Sequence, residues 1–122
     1  MSQKTRQEQD SLGKIKVANS NLWGAQTQRS IKNFRIGNDI MPIEIIHALA
    51  IIKMSCAKTN QKQKLLSPKI ASAIIDSAKQ VYLGKYDEHF PLSVWQTGSG
   101  TQTNMNVNEV IANIANRKIS KK

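Results

Sequence analysis

Residues 95–108 read WQTGSGTQTNMNVN and gather the chain's densest set of groups able to grip a small ligand. Gly98 and Gly100 flank Ser99, hydroxyls recur at Thr97, Ser99, Thr101 and Thr103, and amides stand at Gln96, Gln102, Asn104, Asn106 and Asn108. No charged group follows until Glu109. Glycines let backbone N–H groups face one point and let a ligand approach closely. Hydroxyls and amides add donors, and a helix starting here contributes roughly half a positive charge at its open end. Together these favour an anion, a carboxylate or phosphate, held without any lysine. The run is not a phosphate-cradling Walker loop, because no Gly-Lys-Ser/Thr ends it. Nor is it a nucleophile elbow, because Gly98 and Gly100 directly flank Ser99. On residue physics alone a second use stays open: a polar loop whose side chains cap helix ends and satisfy their neighbours.

The elements that must position this segment are readable on both sides. Downstream, Val107, Val110, Ile111 and Ile114 recur at i, i+3, i+4 and i+7, predicting a helix over about 105–116. Asn106 and Glu109 have capping-box spacing, and Thr103 or Asn104 would cap equally well. Upstream, Pro42 opens a helix over about 43–64, with Ile45, Leu49, Ile52 and Cys56 as its inward stripe. Lys53, Lys58 and Lys62 suit the later turns of such a helix. Ser67 and Pro68 start a second helix over about 68–83, carrying Ile70, Ile74, Ala78 and Val81 and closed by Gly84. The short link predicts that the two pair as an antiparallel hairpin. Ile15 and Val17 alternate with Lys14 and Lys16, predicting a short strand near 14–18, and Gln26–Phe34 has room for one or two helical turns. The fold class is therefore mainly α with one short β segment.

Other candidate groups are sparse. Asp87, Glu88 and His89 are adjacent, and three adjacent side chains do not converge on one point in extended or helical backbone. His47 reads as a half-exposed helix residue and Cys56 as a small core residue. One cysteine and two histidines exclude an internal disulfide, a Cys-only metal cage and a His-rich metal site. The chain has 122 residues, the size of one domain. Its 18 basic and 8 acidic residues give a net charge of +10. That balance raises nucleic acid, an acidic membrane surface or an anionic ligand as partners. No RNA-recognition or zinc-finger pattern accompanies it, which argues against nucleic acid. No stretch approaches the about 18–20 uninterrupted apolar residues of a membrane span. The first ten residues lack an apolar signal region, and a lone thiol fits a cytoplasmic location.

The residues also carry a resemblance. The run VWQTGSGTQTNMNVNEVIAN, Val94 to Asn113, closely resembles the N-terminal signature of class II fumarate hydratases. The likeness extends through LWGAQTQRSIKNFRIG (Leu22–Gly37), the two predicted helices and GKYDEHFPLSVWQ (Gly84–Gln96), covering about residues 10–113 in the family's order. Aspartate ammonia-lyases share the superfamily and a related Asn-Met-Asn-x-Asn-Glu stretch. Their preceding loop lacks the Trp-Gln-Thr-Gly-Ser-Gly-Thr run, so the fumarase side is preferred. The resemblance implies reversible trans addition of water to fumarate, giving L-malate, a step of the tricarboxylic acid cycle. It implies no metal or organic cofactor. It further implies a substrate carboxylate at Ser99, Gly100 and Thr101, with Asn104 beside them, and a homotetramer in which each site draws on three subunits.

The departures are as informative. The family's chain is several times longer. Its catalytic histidine and the serine of its mobile Gly-Ser-Ser loop lie in later parts. No Gly-Ser-Ser occurs here, and neither His47 nor His89 matches the histidine motif. No catalytic residue is therefore expected among these 122 residues, and no hydratase activity from them alone. The match fades after Asn113 into a lysine-rich ending, which reads as a truncated frame or a fragment. The expected division is a disordered tail over 1–10, a fumarase-like N-terminal domain over 11–116 and a basic tail over 117–122. The alternatives are a non-catalytic remnant of a truncated gene and a basic nucleic-acid-binding module.

Overall fold

A computed structural model describes residues 4–120. In chain order these form strands β1 (Thr5–Asp10) and β2 (Gly13–Ala18), helices α1 (Ala25–Asn33), α2 (Ile43–Lys62) and α3 (Pro68–Tyr82), a 3-10 turn at Asp87–His89, and helix α4 (Thr101–Ser120). The mainly helical class and the strand near 14–18 are as expected.

Residues 5–10, expected to be a disordered tail, are instead a strand. β1 pairs antiparallel with β2, from Thr5 opposite Ala18 to Asp10 opposite Gly13. The expectation rested on polarity, but Arg6 and Asp10 bind groups distant in sequence. The Arg6 guanidinium donates to the carbonyls of Ala18 (2.9 Å), Asn21 (2.7 Å) and Trp23 (2.7 Å). Asp10 accepts two hydrogen bonds from Arg29 on α1, at 2.8 and 3.0 Å. β2 alternates as read, with Val17 buried and Lys14 and Lys16 exposed.

The helix pair begins and ends where its punctuation says. The Ser67 hydroxyl accepts from the Ile70 N–H at 3.4 Å, and Pro68 takes the first helical position. Both helices close with paired bonds back to the last turn. Lys85 donates to the Gln80 carbonyl and Gly84 to Val81 after α3, and Leu65 donates to Asn60 and Lys64 to Gln61 after α2.

The inward stripe of α2 differs from the expected one. Ile46, Ala50 and Ala57 are buried, whereas Ile45, Ile52 and Cys56 are exposed. α2 is apolar almost all round, so periodicity does not select a face. The face it turns inward is the one whose alanines permit close approach. α3 likewise buries Ala71, Ala73, Ser77, Ala78 and Val81, and leaves Ile70 exposed. α4 uses the expected stripe: Val107, Val110, Ile111 and Ile114 join Ile46, Ala50, Ala78, Val81, Leu22 and Phe90 in one core. α4 also runs longer than expected at both ends. It starts at Thr101, four residues early, and it continues through Arg117 and Lys118, so the described part of the expected basic tail is helical. No helix among the described residues is long and apolar enough to cross a membrane.

Candidate functional site

The approach to α4 is held by two contacts with the preceding chain. Met41 N–H donates to the Leu92 carbonyl and Val94 N–H to that of Asp39, both at 2.9 Å. The Trp95 ring then lies against Gly37, where an added Cβ would come within 2.7 Å of Trp95 Cδ1. Gly37 has φ +66°, so both its space and its backbone require glycine.

Gln96 caps α4, a role expected of Thr103, Asn104 or Asn106. Its Oε1 accepts from the Thr103 N–H at 3.0 Å, and its Nε2 donates to the Thr103 hydroxyl at 2.8 Å and the Ser93 carbonyl at 2.9 Å. Thr103 is thereby buried and committed. The cap reaches back seven residues, so it depends on the loop's path and is invisible to local spacing.

Between cap and helix lies the turn Thr97–Gly100. Thr97 Oγ1 bonds Gln102 Oε1, and the Gly100 N–H donates to the Thr97 carbonyl at 3.3 Å. Gly100 has φ +70°, the left-handed region, which aims the next amides outward. Ser99 and Thr101 are exposed, and their hydroxyls lie 2.9 Å apart. The N–H groups of Thr101 and Gln102 have no protein acceptor among the described residues. A Cβ at Gly98 or Gly100 would meet nothing within 4 Å, so space beside the turn is open. Ser99, Gly100, Thr101 and Asn104 thus share one turn, with two hydroxyls and two amides at the positive end of a 20-residue helix.

Asn106 of the segment, with Glu109 and Asn113 beyond it, serves the fold, as the second use of these residues would have it. Asn106 Nδ2 donates to the His89 carbonyl at 3.1 Å, and Asn113 Nδ2 to that of Leu22 at 2.8 Å. Glu109 reaches α1 and takes no part in capping its own helix. Asn104 is different: its Oδ1 accepts from Lys53 Nζ on α2 at 2.6 Å. A lysine beside the turn was not expected, and no local pattern links two residues 51 apart in sequence.

Asp87 turns away from its two neighbours, while Glu88 Oε1 lies 3.4 Å from His89 Nε2. Asp87 pairs with His47 Nε2 at 3.0 Å, while His89 is buried and its Nδ1 accepts from the Leu22 N–H at 3.4 Å. Burial is the main cause holding the His89 imidazole below its ordinary pKa. Glu88 works against the shift and Arg117 adds to it. Among the described residues no three His, Cys, Asp or Glu side chains gather as a metal-ligand group. A groove of about 230 Å³ between α2, α3 and α4, lined by Lys53, Cys56, Ile74, Asn108 and Ile111, involves no residue of the 96–104 turn.

Comparison with known proteins places this arrangement. Residues 13–122 match the model of a lyase family. The chain is 60% identical over 112 residues to "Fumarate hydratase class II 2" of Bradyrhizobium diazoefficiens, covering 92% of this chain and 24% of that one. It is 58% identical over 117 residues to the class II fumarate hydratase of Bacillus cereus, covering 96% and 25%. Among solved structures, the class II fumarase of Schistosoma mansoni superposes with a TM-score of 0.95 at 47% identity, over 98% of this chain and 25% of that one. A fumarate lyase:delta crystallin of Brucella melitensis superposes with a TM-score of 0.90 at 36% identity, over 96% and 26%.

The chain belongs to the lyase family, within the fumarase/aspartase superfamily. Its high-identity relatives are class II fumarate hydratases, and it corresponds to their N-terminal domain. It spans about a quarter of the length of those relatives.

Proposed function

We propose that this chain supplies one wall of a dicarboxylate site for the reversible hydration of fumarate to L-malate. The observation that carries this is the turn Ser99–Gly100–Thr101 opening α4. Its exposed hydroxyls and outward amides form a carboxylate-sized set of donors at a helix N-terminus. The reaction run from malate removes a proton next to a carboxylate. Negative charge then grows on that group, and fixed donors aimed at it are the form of stabilisation such chemistry uses. The wall binds and orients, and the groups that move protons come from elsewhere in the assembled enzyme. The assembly is a cytoplasmic homotetramer on this reading, and the 122 residues alone have no hydratase activity.

Succinate, an unreactive dicarboxylate, tests the wall directly. Titrated into the isotope-labelled chain, it shifts the amide resonances of Thr101 and Gln102 in a saturable way. Thr101→Val keeps the shape and removes one donor to a charged group, which costs about 1.5–3 kcal/mol and weakens binding by about tenfold to a hundredfold. Equal binding by both proteins removes the proposal.

A further inference from the structure

Resting on that reading of the turn, we infer that Lys53 is a positioning residue of the dicarboxylate site, acting through Asn104. Lys53 Nζ lies 2.6 Å from Asn104 Oδ1, and both residues are half-buried. An ammonium only donates, so the oxygen of the Asn104 amide must face Lys53. The Nδ2 hydrogens then point away from it. They have no protein acceptor among the described residues, and no buried side-chain nitrogen or oxygen among those residues lacks a partner. The Asn104 amide nitrogen is therefore a solvent-facing donor of fixed orientation.

Its aim follows from helix geometry. Side chains on a helix lean toward its N-terminus and cover the preceding turn. For Asn104 that turn is Gly100–Thr101, closed by the Asn104 N–H to the Gly100 carbonyl at 3.1 Å. Lys53 thus selects one of the two amide orientations of Asn104, the one that adds a donor beside the Ser99 and Thr101 hydroxyls. With Lys53 absent the amide is free to flip, offering its oxygen to a carboxylate that repels it.

The test is succinate titration of the full chain, read by the Thr101, Gln102 and Asn104 side-chain amide resonances. Lys53→Met is expected to weaken binding about tenfold, the loss of about one oriented hydrogen bond to a charged group. The Val107 and Val110 resonances should stay in place, showing that α4 is intact. Lys53→Arg, which keeps donor and charge, is expected to restore most of the affinity. In an Asn104→Ala background, Lys53→Met should cost nothing further. An equal tenfold loss in that background would show Lys53 acting by charge alone and overturn the positioning role. Wild-type affinity in Lys53→Met, alongside weakened Thr101→Val, overturns the role of Lys53 and leaves the wall standing. No succinate shift in the unaltered chain removes both.

Discussion

Glu109 on α4 holds Thr27 on α1 by two donors at once: Oε2 accepts from the Thr27 hydroxyl at 2.6 Å and from its N–H at 3.1 Å. The same carboxylate accepts from the N–H groups of Gly24 at 3.0 Å and Gln26 at 2.7 Å. α1 has no capping side chain of its own, so the charge its open end needs arrives from another helix.

Removing that charge should loosen α1 before anything else. Glu109→Ala is expected to cost about 1.5–3 kcal/mol in urea unfolding, the range for hydrogen bonds to a charged group. Glu109→Gln keeps one acceptor and should cost less. A Glu109→Ala chain with unchanged midpoint and slope contradicts the trans-capping role.

His89 makes stability depend on pH. Its folded-state pKa lies below the ordinary value of 6.5, chiefly because it is buried. Between the two values the unfolded chain binds a proton that the folded chain refuses. Stability is therefore complete above about pH 6.5 and falls as pH drops through and below it. Protonation also removes the acceptor that Nδ1 offers to the Leu22 N–H. In a His47→Gln background, so that only one imidazole titrates, the urea midpoint should fall from pH 7.5 to pH 5.5. Adding His89→Gln should flatten that step. A step that survives His89→Gln assigns it elsewhere.

Arg6 ties the hairpin to the loop entering α1 through the carbonyls of Asn21 and Trp23. Arg6→Met should speed hydrogen exchange in β1 by roughly tenfold, or about 1.4 kcal/mol of local opening, with the α4 amides unaffected. Uniform exchange changes would mean the hairpin is not a separate unit.

α2 turns Ile45 and Ile52 outward at 45% and 52% exposure. Exposed apolar surface of that kind drives association. The chain is expected to sediment with a concentration-dependent mass, and Ile45→Lys with Ile52→Lys to move it toward the monomer. A single species across the concentration range counts against this.

Which parts of this were legible follows from where each signal resides. The helix pair was readable because Pro42, Ser67, Pro68 and Gly84 act on backbone beside themselves. The α4 stripe was readable because Asn108, Glu109 and Asn113 fill the gaps between Val107, the pair Val110–Ile111, and Ile114. The inward face of α2 was not, because isoleucines surround it and only packing against α3 and α4 chooses. β1 was missed because its order comes from Arg6 and Asp10 binding distant groups. The turn at Ser99–Thr101 stood out by composition alone. Its helix start was misplaced because the cap, Gln96, lies outside the helix's own pattern. Lys53 left no trace in the sequence, since only the packing of α2 beside α4 brings it to Asn104.

The bonds from Glu109 to Gly24 and from Asn113 to Leu22 span 85 and 91 residues. During synthesis the segment that binds α1's open end is made long after α1 itself. At about 5–20 residues per second, that delay is on the order of ten seconds. Through that interval the hairpin and α1 have neither the carboxylate at Glu109 nor the α4 stripe to bury against. The polar hairpin therefore leaves the ribosome well before its anchor. Its low apolar content leaves little for other chains to seize while its anchor is still being made.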